Sequence, residues 1–163
     1  MTEAERIEAE ARRLGIGRLC HLTPFRNLLH IASGDGLCSV TQLKEEDRTA
    51  FDPQDLQRLE QRPDHISCSI EYPNVWYLRN RKRDATPLQR LFPDWVCILI
   101  DTDCLWREGT EFAPRNASSS YGKLLRPGFD AFRGLYAELT VNVGPTVGGS
   151  VRPRRLVLGK AAS

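Results

Sequence analysis

The sequence predicts a single α+β domain, and three observations carry that expectation. Its 163 residues sit just above the commonest domain size of about 100–150, long enough to bury a core without disulfide or metal staples. Stretches with helix-capping signatures are interleaved with short stretches in which polar and apolar residues alternate one by one. No internal repeat and no linker-like run divides the chain, so 1–163 reads as one domain, with 144–163 a loosely ordered tail.

The elements follow in order. Thr2-x-x-Glu5 has the spacing of a capping box and opens an Ala/Glu/Arg-rich helix that ends before Gly15, with Ile7 and Leu14 on one face. Residues 18–23 (RLCHLT) alternate as a short strand. Thr23-Pro24 then has the look of an N-cap with proline at the first helical position, predicting a helix to about residue 33 whose buried face is Phe25, Leu28, Leu29 and Ala32. Ser39-x-x-Gln42 caps another short helix, and Asp52-Pro53 starts one that runs to about Gln61. Residues 65–70 (HISCSI) alternate as a strand. After Tyr72-Pro73, about two helical turns carry Val75, Trp76 and Leu78 into the basic NRKRD stretch.

Residues 95–100 (WVCILI) form the most apolar run and read as a central strand. Residues 109–114 suit another strand, and the Ser-rich 116–122 (NASSSYG) suits a loop beside a ligand. A helix over about 127–135 precedes a β-branched strand at 137–143. LVL near the C-terminus has the composition of one more strand.

Composition narrows the class. No run of about 18 apolar residues exists, so no transmembrane helix is expected, and MTEAERIEAEARR has no apolar signal core. The five cysteines (20, 38, 68, 97 and 104) include no C-x-x-C pair, which argues against zinc and for core thiols in a reducing, cytoplasmic setting. The net charge of +2 hides an asymmetry. Residues 1–122 hold 16 basic and 19 acidic side chains, a net of −3; residues 123–163 hold seven against two, a net of +5. A second basic cluster is Arg79, Arg81, Lys82 and Arg83. Such clusters suit either nucleic-acid phosphates or a solvated surface. P-loop, Rossmann, zincin and nucleophile-elbow motifs are all missing.

Two stretches carry chemistry. His21 and Thr23, at a strand end, place hydrogen-bonding side chains where anions or ribose hydroxyls bind, unless they are a satisfied histidine and an ordinary cap. HISCSIEYPN at 65–74 offers hydroxyls and an aromatic platform, unless it is a half-buried strand closed by a turn.

Taken together, RLCHLTPFRNLLHI, DHISCSIEYPNVWYL, LFPDWVCILIDTDCLW and FAPRNASSS, in that order over 18–120, resemble the DarT family of DNA ADP-ribosyltransferase toxins, in the branch whose strand reads I-S-x-S-I-E-Y-P-N. The resemblance implies an ADP-ribosyltransferase-like α+β fold: two small mixed or antiparallel sheets around an NAD cleft, with flanking helices. It implies NAD as co-substrate with no metal, single-stranded DNA as acceptor through thymine or guanine, and a cognate antitoxin with ADP-ribosyl-DNA hydrolase activity.

His21, Leu22 and Thr23 match the family's H-x-T element for NAD, with Asn27 and His30 following. Arg58 matches the catalytic arginine, with Arg62 as rival. Glu138, in AELTV, matches the catalytic glutamate if a loop is deleted before it; otherwise Glu138 belongs to an earlier segment, and the chain is a truncated, non-catalytic relative that binds NAD or single-stranded nucleic acid. A carboxylate is needed because breaking the nicotinamide–ribose bond leaves a sugar with oxocarbenium character. An arginine would hold the pyrophosphate, and Tyr72, Trp76 and Tyr77 are candidate stacking platforms for unpaired bases. A basic-tailed nucleic-acid-binding domain sharing only the fold is the remaining reading.

Overall fold

The first helix forms as its cap demands. In the computed structural model, which describes residues 1–34, 36–45, 60–83, 94–136 and 155–158, Thr2 and Glu5 make a complete capping box at the start of α1 (Glu3–Arg13). Its buried residues Ile7 and Ala11 face the core. Residues 19–24 then form β1 (Leu19–Pro24), followed by a 3-10 turn at Phe25–Asn27 and the short α2 (Leu28–Ser33). Ser39 and Gln42 exchange the second capping box at α3 (Val40–Glu45).

The remaining elements are β2 (Ile66–Ile70), α4 (Val75–Arg83), β3 (Trp95–Ile100), a 3-10 turn at Thr102–Trp106, β4 (Glu111–Ala113), a 3-10 turn at Ser119–Gly122, β5 (Arg126–Pro127), α5 (Phe129–Gly134) and β6 (Arg155–Leu158). The helix expected from Asp52-Pro53 and the strand expected at 137–143 lie outside the described residues, as do Arg58 and Glu138.

Among the described residues every strand pairing is antiparallel, in the order β3-β1-β2-β6-β4-β5. Two small three-stranded parts, β3-β1-β2 and β6-β4-β5, meet through the β2–β6 pairing. The strand that LVL suggested is therefore inside the sheet, between β2 and β4. The core gathers on one face: Leu19 opposes Ile70 and Ile100 across β1's two neighbours, and Ile7, Ala11, Leu105, Phe112 and Phe132 close over them. Phe112 and Phe132 are fully buried, with ring centroids 5.2 Å apart. The Glu3 carboxylate accepts the Phe129 N–H at 2.5 Å, and the Arg6 guanidinium lies 4.0 Å from the Phe129 ring centroid, so α1 is tied to α5 at both charge and ring.

Three expectations need correction. Among the described strands β3 stands at the edge of the sheet, not at its centre, and its Cys97 and Leu99 are exposed; apolar composition alone does not distinguish a strand with two neighbours from one with a single neighbour. Thr23 does not cap the next helix: Pro24 still belongs to β1, and Thr23 turns its hydroxyl to a side chain instead. The presumed buried face of α2 is largely outside, with Phe25, Leu29 and Ala32 exposed, because the chain enters by a 3-10 turn that shifts the helical phase.

Candidate active site

β1 bonds unequally to its neighbours. It pairs with β3 from Leu19 to Pro24, but its pairing with β2 ends after Cys20↔Ser69. Where that ladder stops, the His21 imidazole bridges the strands, with Nδ1 3.0 Å from the Ser67 carbonyl oxygen. A carbonyl can only accept, so Nδ1 carries the hydrogen, and in the neutral ring Nε2 is an acceptor. Alternation along the strand puts His21 and Thr23 on the same side as the core residue Leu19. Thr23 is buried, and its Oγ1 accepts a hydrogen bond from Asn27 Nδ2 at 3.1 Å, leaving the Thr23 O–H as a donor. Leu22 points to the other side, paired with Cys97. His30 lies farther on, half-buried on α2. The structure thus groups His21, Thr23 and Asn27 at the end of β1.

Arg62 is held by an ion pair to β4. Its guanidinium forms a forked pair with the Glu111 carboxylate on β4, with Nε–Oε2 at 2.5 Å and Nη2–Oε1 at 3.1 Å. The Glu111 hydrogen bond raises the Arg62 pKa further. His65 sits beside this pair: Nδ1 is 2.8 Å from Asp64 Oδ1 and Nε2 is 3.1 Å from the Gly109 carbonyl oxygen. Burial alone would raise the Asp64 pKa, but the His65 hydrogen bond, a backbone bond and the Arg62 charge outweigh it and hold the carboxyl below its usual value. Nothing in the local sequence pattern pointed to this cluster, because Glu111 is 49 residues from Arg62.

Glu71, in the I-E-Y-P-N stretch, has a second structural task. It adopts a left-handed φ of 64°, a conformation that costs a non-glycine residue roughly 1–3 kcal/mol. Its carboxylate accepts the Gly17 and Arg18 N–H groups, its carbonyl accepts Arg18 Nε at 3.0 Å, and its N–H donates to the Arg18 carbonyl. Those bonds hold the turn that follows β2. In the Ser-rich loop, Ser120 and Tyr121 also have positive φ, and Gly122 packs so closely on the Glu60 backbone that a Cβ there would collide with the Glu60 carbonyl.

None of the five cysteines is in a disulfide. Burial pushes the Cys20 and Cys104 thiols up to about 11, with Cys97 adding to the effect at Cys20. Among the described residues no group of three or more His, Cys, Asp or Glu side chains could hold a metal ion. No described helix is long and apolar enough to cross a membrane.

A family model described as ssDNA thymidine ADP-ribosyltransferase, DarT, matches residues 20–141. The chain belongs to the DarT family. The match covers about three quarters of the chain and includes His21, Leu22, Thr23, Asn27, His30, Arg58, Arg62 and Glu138. As a DarT member the protein is an enzyme, an ADP-ribosyltransferase acting on single-stranded DNA, and its mixed α+β architecture with small antiparallel sheets is consistent with that fold class. No curated protein matches the chain.

Proposed function

We propose that this DarT protein transfers ADP-ribose from NAD⁺ to thymidine in single-stranded DNA, and that it does so in the cytoplasm as the toxin of a toxin–antitoxin pair. The observation that carries the NAD⁺ reading is the grouping of His21 and Thr23 on one side of β1, where the β1–β2 ladder stops, inside the span matched by the family. His21, held through Nδ1 by the Ser67 carbonyl, is a polar ring of the kind that pairs with a ribose hydroxyl or a carboxamide. The Thr23 hydroxyl is a donor of matching kind, steadied by Asn27. Leu22 and His30 complete the family's stretch around this pair.

In the proposed reaction the bond between nicotinamide and ribose C1′ breaks, and neutral nicotinamide leaves with the bonding pair. The ribose acquires oxocarbenium character, the base attacks C1′, and the base proton passes to a carboxylate. Glu138 is assigned that carboxylate, which also stabilises the developing positive charge. Arg58 is assigned to the pyrophosphate and the acceptor base. The bidentate commitment of Arg62 to Glu111 supports Arg58 over Arg62 in that role. The partner would be an antitoxin that hydrolyses ADP-ribosyl-DNA, since a toxin with this chemistry needs a reversing activity.

The test is label transfer from adenine-labelled NAD⁺ to thymidine-containing oligonucleotides. Wild type should label single strands, while His21→Ala and Glu138→Gln should lose at least about 100-fold in rate, the scale of removing one electrostatic stabiliser. Full activity of folded Glu138→Gln would remove Glu138 from the mechanism.

A further inference from the structure

α4 presents an outward face that the packing of the fold does not use. Tyr72, Val75, Trp76 and Arg79 are all exposed, and the helical spacing of Val75, Trp76 and Arg79 puts those three on one side of α4, with Tyr72 in the turn just before it. Tyr72 and Trp76 are each more than 60% exposed, unusual for large aromatic side chains in a chain of this size. Tyr77 points the other way, half-buried, with its ring edge-on to Trp95 at 6.3 Å and the Arg81 guanidinium 5.2 Å from its centroid. Tyr77 is therefore packing, and of the three aromatic candidates only Tyr72 and Trp76 are presented outward.

We infer that the Tyr72–Trp76–Arg79 face of α4 is a docking surface for single-stranded DNA, gripping nucleotides that flank the modified base. Three observations support that occupant. The helix sequence VWYLRNRKR holds four cations and no carboxylate, although residues 1–122 carry net negative charge, and the exposed Arg79 puts one of those cations on the same side of the helix as Trp76. Two exposed rings, Tyr72 just before the helix and Trp76 in its first turn, give stacking faces that tolerate any base, and aromatic faces beside cations are the means by which proteins hold unpaired strands.

The third observation is rigidity and position. The strained Glu71, fixed by Gly17 and Arg18, sets the direction of Tyr72, and Asn74 caps the helix by accepting the Tyr77 N–H at 2.9 Å. At its other side α4 meets Trp95, the β3 residue paired with Pro24, so the helix lies beside the end of the strand carrying His21 and Thr23. Being beside that site rather than part of it, α4 would hold neighbouring nucleotides and leave the chemical step untouched. The inference rests on the single-stranded DNA reading of the family.

The experiment is fluorescence anisotropy with the full chain and a labelled thymidine-containing oligonucleotide about 12 nucleotides long, alongside transfer kinetics. Tyr72→Ala/Trp76→Ala should weaken binding at least 25-fold, taking about 5-fold as the minimum for each stacked base. Trp76→Phe should retain most of the affinity. Arg79→Gln should weaken binding and flatten the slope of log K against log salt by about 0.7. The double variant should raise KM for DNA, leave kcat near wild type and leave NAD⁺ affinity unchanged. Wild-type affinity in the folded double variant overturns the inference, and indicates a protein-contacting face, while the family reading stands. Failure of wild type to bind or modify any single strand overturns both.

Discussion

Replacing Arg62 separates the two arginines that the sequence offered for catalysis. The structure gives Arg62 a forked pair to Glu111, at 2.5 and 3.1 Å, with the two side chains 34% and 15% exposed. Two unit charges at 4 Å attract by ~4 kcal/mol at an effective dielectric of 20, but desolvation and side-chain ordering remove much of that. Hydrogen bonds to charged groups contribute ~1.5–3 kcal/mol net. Arg62→Ala also takes from the mostly buried Glu111 its forked partner, with His65 Nε2 farther off at 3.9 Å. The expected loss is ~1–3 kcal/mol, a fall in Tm of roughly 2–12 °C for a chain of this size. Glu111→Gln should lose a similar amount, and the double variant should show a coupling energy of about 1–2 kcal/mol. Below its lowered Tm, Arg62→Ala should still transfer ADP-ribose within a few-fold of wild type, whereas Arg58→Ala should not. Unchanged stability together with abolished transfer in Arg62→Ala would refute this reasoning and make Arg62 the catalytic arginine.

Further outcomes follow from the same geometry. Gly122→Ala should destabilise by at least ~1–2 kcal/mol, the cost of a left-handed alanine at φ +76°, and by more because its Cβ meets the Glu60 carbonyl; an unchanged melting curve would contradict that packing. Thr23→Val removes the acceptor for the Asn27 amide in a buried setting, and should cost ~1–3 kcal/mol of stability while raising KM for NAD⁺ more than KM for DNA. Equal effects on the two KM values would separate Thr23 from NAD⁺ binding. Cys20 and Cys104, held at about 11 by burial, titrate above the usual ~8.5 of an unfolded chain's thiols. Folded pKa values raised in this way give stability that is complete below pH ~8.5 and is lost as the pH rises through about 11. Tm should therefore drop between pH 8.5 and 11, and Cys20→Ala/Cys104→Ala should show a shallower drop than wild type.

The sequence carried the local decisions and left the long-range ones open. Both capping boxes were legible because their partners sit three residues apart, and β2 and β3 because alternation and apolar runs mark strands directly. The position of β3 at the edge of the described strands was not legible, since pairing depends on which strands arrive beside it from elsewhere in the chain. The exposure of Phe25 and Leu29 was hidden by the 3-10 turn, which changes the residue spacing from 3.6 to 3.0 per turn at the start of that face. At the site, His21 and Thr23 stood out as a strand-end pair, but the bond from His21 to Ser67 spans 46 residues and that from Arg62 to Glu111 spans 49. Such contacts follow from the assembled sheet and leave no periodic trace in the sequence.

The most direct test of the account is mass spectrometry of a thymidine-containing single-stranded oligonucleotide after incubation with the protein and NAD⁺. The account predicts an added ADP-ribose on the DNA, with one nicotinamide released per transfer, and neither with Glu138→Gln. Folded wild-type protein that leaves the oligonucleotide unmodified, or releases nicotinamide without modifying DNA, would contradict it.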